Sequence, residues 1–171
     1  AWMAATRGDL TEMGVEVTLD GEIEPGSDTD PAVRLHGRID RLERDDTGKP
    51  VVVDLKTGKN PISQDKADEH PQLAVYQAAV ALGAVEGVPA TKPGGARLVY
   101  VAKSHTKTGA TERVQSALSD EDLMRWIEVI RAAAEATRGP QFRAEVNDGC
   151  THCPVRTSCP AHDEGRQVSA Q

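Results

Sequence analysis

Asp40, in Gly37-Arg38-Ile39-Asp40-Arg41, and the pair Asp54 and Lys56, in Val53-Asp54-Leu55-Lys56-Thr57-Gly58, have the residue types and spacing of hydrolytic chemistry. Between them, Asp45-Asp46-Thr47-Gly48-Lys49 is a strong turn signal, so strands over Val33–Arg44 and Val51–Leu55 should form an antiparallel hairpin. If that turn is symmetric, Arg44 faces Pro50 and Asp40 faces Asp54. Side chains alternate along a strand, so Asp54 and Lys56 share a face, and Asp40 joins them from the neighbouring strand. Directly opposed residues have Cβ atoms ~4.5–5.5 Å apart. Two carboxylates that close repel, and one takes up a proton unless a cation lies between them. Few, hard oxygen ligands suit Mg2+ or Mn2+, which keep waters and complete their shell with phosphate oxygens. The Lys56 ammonium could then orient an attacking water or stabilise charge on a phosphoryl oxygen. Asp-x-Lys alone is an ordinary solvated strand face; Asp40 is what gives it weight. The same register sets Arg38 opposite Lys56, a repulsive pair unless the strands diverge or an anion such as phosphate lies there.

Gln72 and Tyr76, at i and i+4, share a helix face. They form either an ordinary half-buried surface or a site in which Gln72 reaches a phosphate and Tyr76 packs beside a nucleotide. Cys150, Cys153 and Cys159 form an odd, clustered C-x2-C-x5-C set. That pattern reads as metal ligation in a reducing compartment, hence a cytoplasmic location, rather than as a disulfide framework. Three thiolates could hold zinc, with His152 or His162 as fourth ligand. His36, His70 and His105 have no second ligand at helical or strand spacing and read as ordinary surface or loop residues. Glu16 could approach the carboxylates, although its alternation fits a solvated face equally.

These residues call for a small α/β (α+β) scaffold. Val15, Val17 and Leu19 alternate with polar neighbours and suggest a first strand, followed by a loop over 24–31 rich in Pro, Gly, Ser and Asp. After the hairpin, a helical pattern runs from about Lys66 to Leu82, with Leu73 and Val80 on one side and Gly83 as the stop. Leu98–Val101 is a fourth, buried strand; Thr111–Leu118 is a further one, paired back through the loop 104–110. Ser119 caps a last helix with Leu123, Ile127 and Ile130 at helical spacing, ended by Gly139-Pro140.

The composition narrows the function. Among 171 residues, 20 Lys plus Arg face 27 Asp plus Glu, a formal net charge of −7 that excludes a basic nucleic-acid glove. With 38% apolar and 27% charged residues the chain reads as one globular domain. The start at Ala1-Trp2 and only 3% aromatics lead us to expect a piece of a longer protein. No G-x4-G-K-[ST] phosphate loop is present, so these residues encode no nucleotide-driven motor.

Taken in order, the Asp40 segment, the Asp54–Lys56 segment, Gln72-Leu73-Ala74-Val75-Tyr76 and Cys150-x2-Cys153-x5-Cys159-Pro160 resemble the RecB-like branch of the PD-(D/E)xK nucleases. The likeness spans roughly residues 13–160 and is closest to the C-terminal nuclease domain of bacterial helicase-nucleases of the AddAB and AdnAB type. It implies a restriction-endonuclease-like core: a mixed sheet with three antiparallel strands, a helix and a further strand, plus a C-terminal helix and the cysteine segment. Asp40 and Asp54 would be ligands of Mg2+ or Mn2+, with the Leu55 carbonyl as a further ligand, Lys56 as the catalytic lysine, and Gln72 and Tyr76 lining the site. The cysteines match the last three of four ligands of a [4Fe-4S] cluster, whose first cysteine lies upstream in such proteins and is absent here. Also absent is a preceding helix that often carries a further ligand, which fits a truncated chain. The implied protein is a metal-dependent deoxyribonuclease, an exonuclease in double-strand-break repair, fed single-stranded DNA by an attached motor and assembled with a partner helicase-nuclease subunit. The contrasting expectation is a non-catalytic nuclease-fold module with a structural iron-sulfur or zinc site.

Overall fold

The computed structural model describes residues 10–27, 32–103, 105–107, 109–140 and 143–166. It divides into two compact units, 1–132 and 133–171. The first is a five-stranded mixed sheet with helices, the arrangement that the resemblance implies. In chain order its elements are β1 (Thr11–Ile23), β2 (Val33–Arg44), β3 (Pro50–Lys56), α1 (Gln64–Asp68), α2 (Pro71–Ala81), β4 (Ala96–Tyr100), β5 (Thr111–Gln115) and α3 (Asp120–Ala136), whose last turn enters the second unit. The spatial order is β1-β2-β3-β4-β5. All neighbours are antiparallel except β3 and β4, which are parallel and joined through α1 and α2.

The hairpin forms because Asp45 organises its own turn: one carboxylate oxygen accepts the amides of Thr47 and Lys49 at 3.0 and 2.9 Å, and Gly48 supplies a φ of +86°. Arg44 pairs with Pro50, as a symmetric turn requires. Val51, Val52 and Val53 are all buried, as befits a central strand covered on both faces.

The single helix expected over 66–82 is two. Pro71 has no N–H to donate and disfavours helical geometry at the residue before it, so His70 is extended (φ −75°, ψ 114°) and α2 restarts with Pro71 in its first turn. Leu73, Ala74, Gln77, Ala78, Ala79 and Val80 are all buried, and the alanines let α2 pack closely among its neighbours. The fourth strand begins at Ala96 rather than Leu98 and ends at Tyr100, leaving Val101 exposed, and the fifth ends at Gln115 rather than Leu118. The loops assigned to 24–31 and 104–110 lie partly outside the described residues.

Alternation in β1 also breaks. Leu19 is buried and Val17 packs against the core, but Val15 is 58% exposed. Between them Glu16 has φ +53°, and in β2 the buried positions shift phase from Leu35 and Ile39 to Leu42. The disturbance falls where Glu16 and Asp40 lie across from each other, between the pairs Val15–Arg41 and Val17–Ile39.

A buried amide pair ties the crossover helices to β5. The Gln77 amide donates to Gln115 Oε1 (3.0 Å) and the Ser116 carbonyl (3.1 Å), and Gln77 Oε1 accepts the Leu118 amide (3.1 Å). Gln115 Nε2 reaches the carbonyls of Ala67, Asp68 and His70. At one edge of the sheet, the Asp20 amide donates to Ala84 (2.9 Å) and the Glu86 amide to Thr18 (3.0 Å). Gly21 permits that approach, because a Cβ there would overlap Ala84. At the other edge, the Gln64 side chain bonds both the carbonyl and the amide of Val114. Ser119 caps α3 as expected, accepting the Asp122 amide at 3.0 Å.

The second unit holds 3-10 turns at Asp148–His152 and Arg156–Ser158 and a short helix α4 (Asp163–Arg166). Among the described residues, no helix is long and apolar enough to cross a membrane.

Candidate active site

The β2–β3 ladder runs from Arg44–Pro50 to Arg41–Val53 and stops there. Asp40 and Asp54 are therefore not ladder partners, although the register up to Arg41 points to them. The reason is a side chain that replaces a main-chain acceptor: Asp40 Oδ2 accepts the Leu55 amide at 2.7 Å. The strands diverge at this point, which also removes the repulsion expected between Arg38 and Lys56. Within a strand a residue's N–H and C=O point toward the same neighbour, so the Leu55 carbonyl faces the gap that holds the Asp40 carboxylate.

Asp54 and Lys56 share the face that the strand period assigns them. Lys56 Nζ lies 2.8 Å from Asp54 Oδ2 and donates to Gln72 Oε1 at 2.9 Å. Asp54 is buried, and its Oδ2 has the ion-pair contact but no aligned hydrogen bond. From Gln72 the chain continues: its amide donates to the Tyr76 hydroxyl (3.1 Å), which donates to the Arg38 carbonyl in β2 (3.1 Å). The first turn of α2 thus lies across the divergence of β2 and β3. One ion pair followed by three hydrogen bonds links Asp54, Lys56, Gln72 and Tyr76 to the strand that carries Asp40.

His70 belongs to the same neighbourhood, contrary to its reading as an ordinary surface or loop residue. It is half-buried at the start of α2, and its Nδ1 is buried without a hydrogen-bond partner among the described residues. Burial first, then the positive charge of Lys56, hold its pKa below the ordinary value, with Asp54 acting in the opposite sense. The signal available in the sequence was its position before Pro71 and two residues from Gln72. Glu16 lies across from Asp40 and pairs with Arg38 at 3.1 Å. His36 lies on the exposed side of β2, 4.0 Å from Asp20, and the His105 ring accepts the Lys107 amide.

The carboxylates of Asp40 and Asp54 with the Leu55 carbonyl would offer hard oxygen ligands suited to Mg2+ or Mn2+, and the buried Asp54 Oδ2, whose neighbour is the Lys56 ammonium in an ion pair without an aligned hydrogen bond, fits a ligand of such an ion. A third carboxylate, histidine or cysteine does not join them: no group of three or more such side chains among the described residues is placed to hold a metal. The same finding bears on the cysteines. Cys150, Cys153 and Cys159 are half-buried free thiols in the second unit, and Cys150 Sγ accepts the Asn147 amide. Neither His152 nor His162 completes a ligand set with them. Three thiols that do not converge do not fit a four-ligand cluster.

The first unit is thus a mixed sheet whose parallel pair, β3 and β4, is bridged by two helices, with Asp54 and Lys56 two apart at the end of β3. Residues 1–160 match the family model of the PD-(D/E)XK nuclease superfamily, and the chain belongs to that superfamily. Membership implies a metal-dependent nuclease. Curated proteins yield no match. Among solved structures, a chain described as "Crystal structure of SSO0001" is 21% identical, with a TM-score of 0.48, covering 86% of this chain and 60% of that one. This chain therefore spans less than two thirds of that protein's length.

Proposed function

We propose that this chain is the nuclease domain of a DNA-repair helicase-nuclease, acting as an exonuclease on single-stranded DNA. Asp40, Asp54 and the Leu55 carbonyl would hold the divalent ion, and Lys56 would serve the reacting phosphate. The observation that carries this reading is the Asp54–Lys56–Gln72–Tyr76 path set beside Asp40, with the buried Asp54 Oδ2 held in an ion pair by Lys56. A bound divalent ion supplies Lewis-acid activation and charge neutralisation. Lys56 Nζ, held from two sides by Asp54 and Gln72, is positioned to donate to a phosphoryl oxygen or orient the attacking water. Water adds to phosphorus, the bond to the leaving sugar oxygen breaks, and that oxygen takes a proton. Gln72 keeps the ammonium from turning wholly toward Asp54, and Tyr76 anchors Gln72 to β2.

The motor and partner subunit follow from the resemblance of the ordered motifs, and the net charge of −7 supports delivery of DNA by another part of the protein. The deciding experiment is Mn2+ calorimetry on the chain and its Asp54→Ala variant. Binding that disappears in the variant supports the carboxylate site. Equal binding by both, or none by either, refutes it.

A further inference from the structure

The outer face of β2 carries Arg34, His36 and Arg38 at alternate positions, all exposed, in a row that ends at Asp40. Across the strand pair, β1 sets Glu22, Asp20 and Thr18 opposite them. Arg34 is engaged in two-point fashion: Nε and Nη2 donate to the two oxygens of Asp20 at 3.0 and 2.8 Å. His36 approaches that same carboxylate at 4.0 Å.

Arg38 is different. Its register partner is the uncharged Thr18, and its counter-ion is Glu16, which approaches Nε at 3.1 Å. The two terminal nitrogens of the guanidinium make no hydrogen bond among the described residues, and the side chains of Arg38 and Glu16 are 67% and 62% exposed. Its backbone, in contrast, is fixed, because the Arg38 carbonyl accepts the Tyr76 hydroxyl at the end of the path that begins at Asp54. A charged fork thus faces solvent two residues from Asp40, on a main chain tied to Lys56 through Tyr76 and Gln72.

Glu16 is the one non-glycine residue among those described with a positive φ. Such conformations are uncommon for a residue with a side chain and concentrate at functional sites. An ion pair this exposed contributes little to stability, so the pairing with Arg38 does not by itself account for the conformation.

We propose that Arg38 grips a phosphate of the nucleic-acid backbone beside the scissile bond, and that Glu16 is a displaceable counter-ion competing with that phosphate. A guanidinium fork matches a phosphate in two-point geometry, and the two unspent nitrogens of Arg38 are those such a grip requires. Because Glu16 holds only Nε, a phosphate can enter before Glu16 leaves. An acidic chain thereby gains a local anion contact without a basic surface. The inference rests on the nuclease reading of Asp40 and Asp54 and adds to it the residue that positions the strand.

The test is fluorescence anisotropy of an end-labelled single-stranded oligodeoxynucleotide in Ca2+, used in place of Mg2+ to suppress turnover. Arg38→Gln should weaken binding about tenfold and lower the salt dependence by about one phosphate contact, with Arg38→Lys in between. Glu16→Gln should tighten binding severalfold, because it removes the competitor. Arg34→Gln, whose guanidinium is already committed to Asp20, should change the Kd less than about twofold. A merely structural ion pair would move both partners in the same direction. Equal weakening by the Arg38 and Glu16 variants, no effect of either, or no binding by the wild-type chain would overturn the proposal. Mn2+ binding that depends on Asp54 alongside an unchanged oligonucleotide Kd in Arg38→Gln would refute this inference and leave the nuclease reading standing.

Discussion

Replacing Gln115 by Leu tests how the fold holds the site, because Gln115 ties β5 to the segment that launches α2. Leu has a similar volume, so the change removes hydrogen bonds without opening a large cavity. Four bonds are lost, but they do not count equally. The carbonyls of Ala67 and His70 keep the amides of His70 and Ala74, each at 3.1 Å, and Gln77 Nε2 keeps Ser116. The Asp68 carbonyl, bonded by Gln115 at 2.9 Å, and one Gln77 proton lose the partner they have. One poorly solvated orphan at about 1–3 kcal/mol and one lost neutral bond at about 1 kcal/mol give a destabilisation of about 2–4 kcal/mol. That is a large share of the ~5–15 kcal/mol typical of a domain. Urea unfolding followed by the emission of Trp126, which is buried, measures it. A Gln77→Leu variant should cost a similar amount, since it orphans the Leu118 amide, and a double-mutant cycle should show a coupling of about 1 kcal/mol. Single-variant costs below about 1 kcal/mol, or no coupling, would refute the accounting.

Two further outcomes follow from the geometry. The pKa of His70 is lower in the folded chain than its ordinary 6.5, so as pH falls below about that value the unfolded chain takes up the proton first and stability declines. His70→Asn should flatten that decline in urea midpoints measured across acidic pH; an identical slope in the variant would exclude His70 as its source. Gly21→Ala places a methyl group against Ala84 and should destabilise the first unit by about 1–3 kcal/mol, with faster hydrogen exchange at the Asp20 and Glu86 amides. Unchanged exchange there would show that the loop yields without cost.

Local chemistry made the hairpin legible from sequence: Asp45 and Gly48 specify the turn, and the turn sets Arg44 against Pro50. Extending that register to Asp40 and Asp54 brought the two carboxylates to the same region. It missed the divergence, because a side chain that takes a main-chain acceptor's place leaves no mark on alternation. The left-handed Glu16 was hidden for a similar reason, since its cost is set by the strands around it. Pro71 did carry a readable signal, and the helix boundary at His70 follows from it. The Gln77–Gln115 pair was not readable, because two amides far apart in sequence show their partnership only after β5 and α2 are packed. The cysteine spacing suggested convergence, but spacing alone does not set the direction in which three thiols point.

The sheet's edges have a consequence for behaviour at high concentration. With Thr18 and Asp20 bonded to the segment at Ala84–Glu86, and Val114 bonded by Gln64, strand addition by a second copy is blocked at both places. The remaining stretch of β1 is interrupted by the irregularity between Glu12 and Gly14 and by the left-handed Glu16, so its donors and acceptors do not keep an even repeat. Fibril-like stacking of native chains therefore has no regular template on this edge, and strand addition there requires the segment at Ala84–Glu86 to come away first.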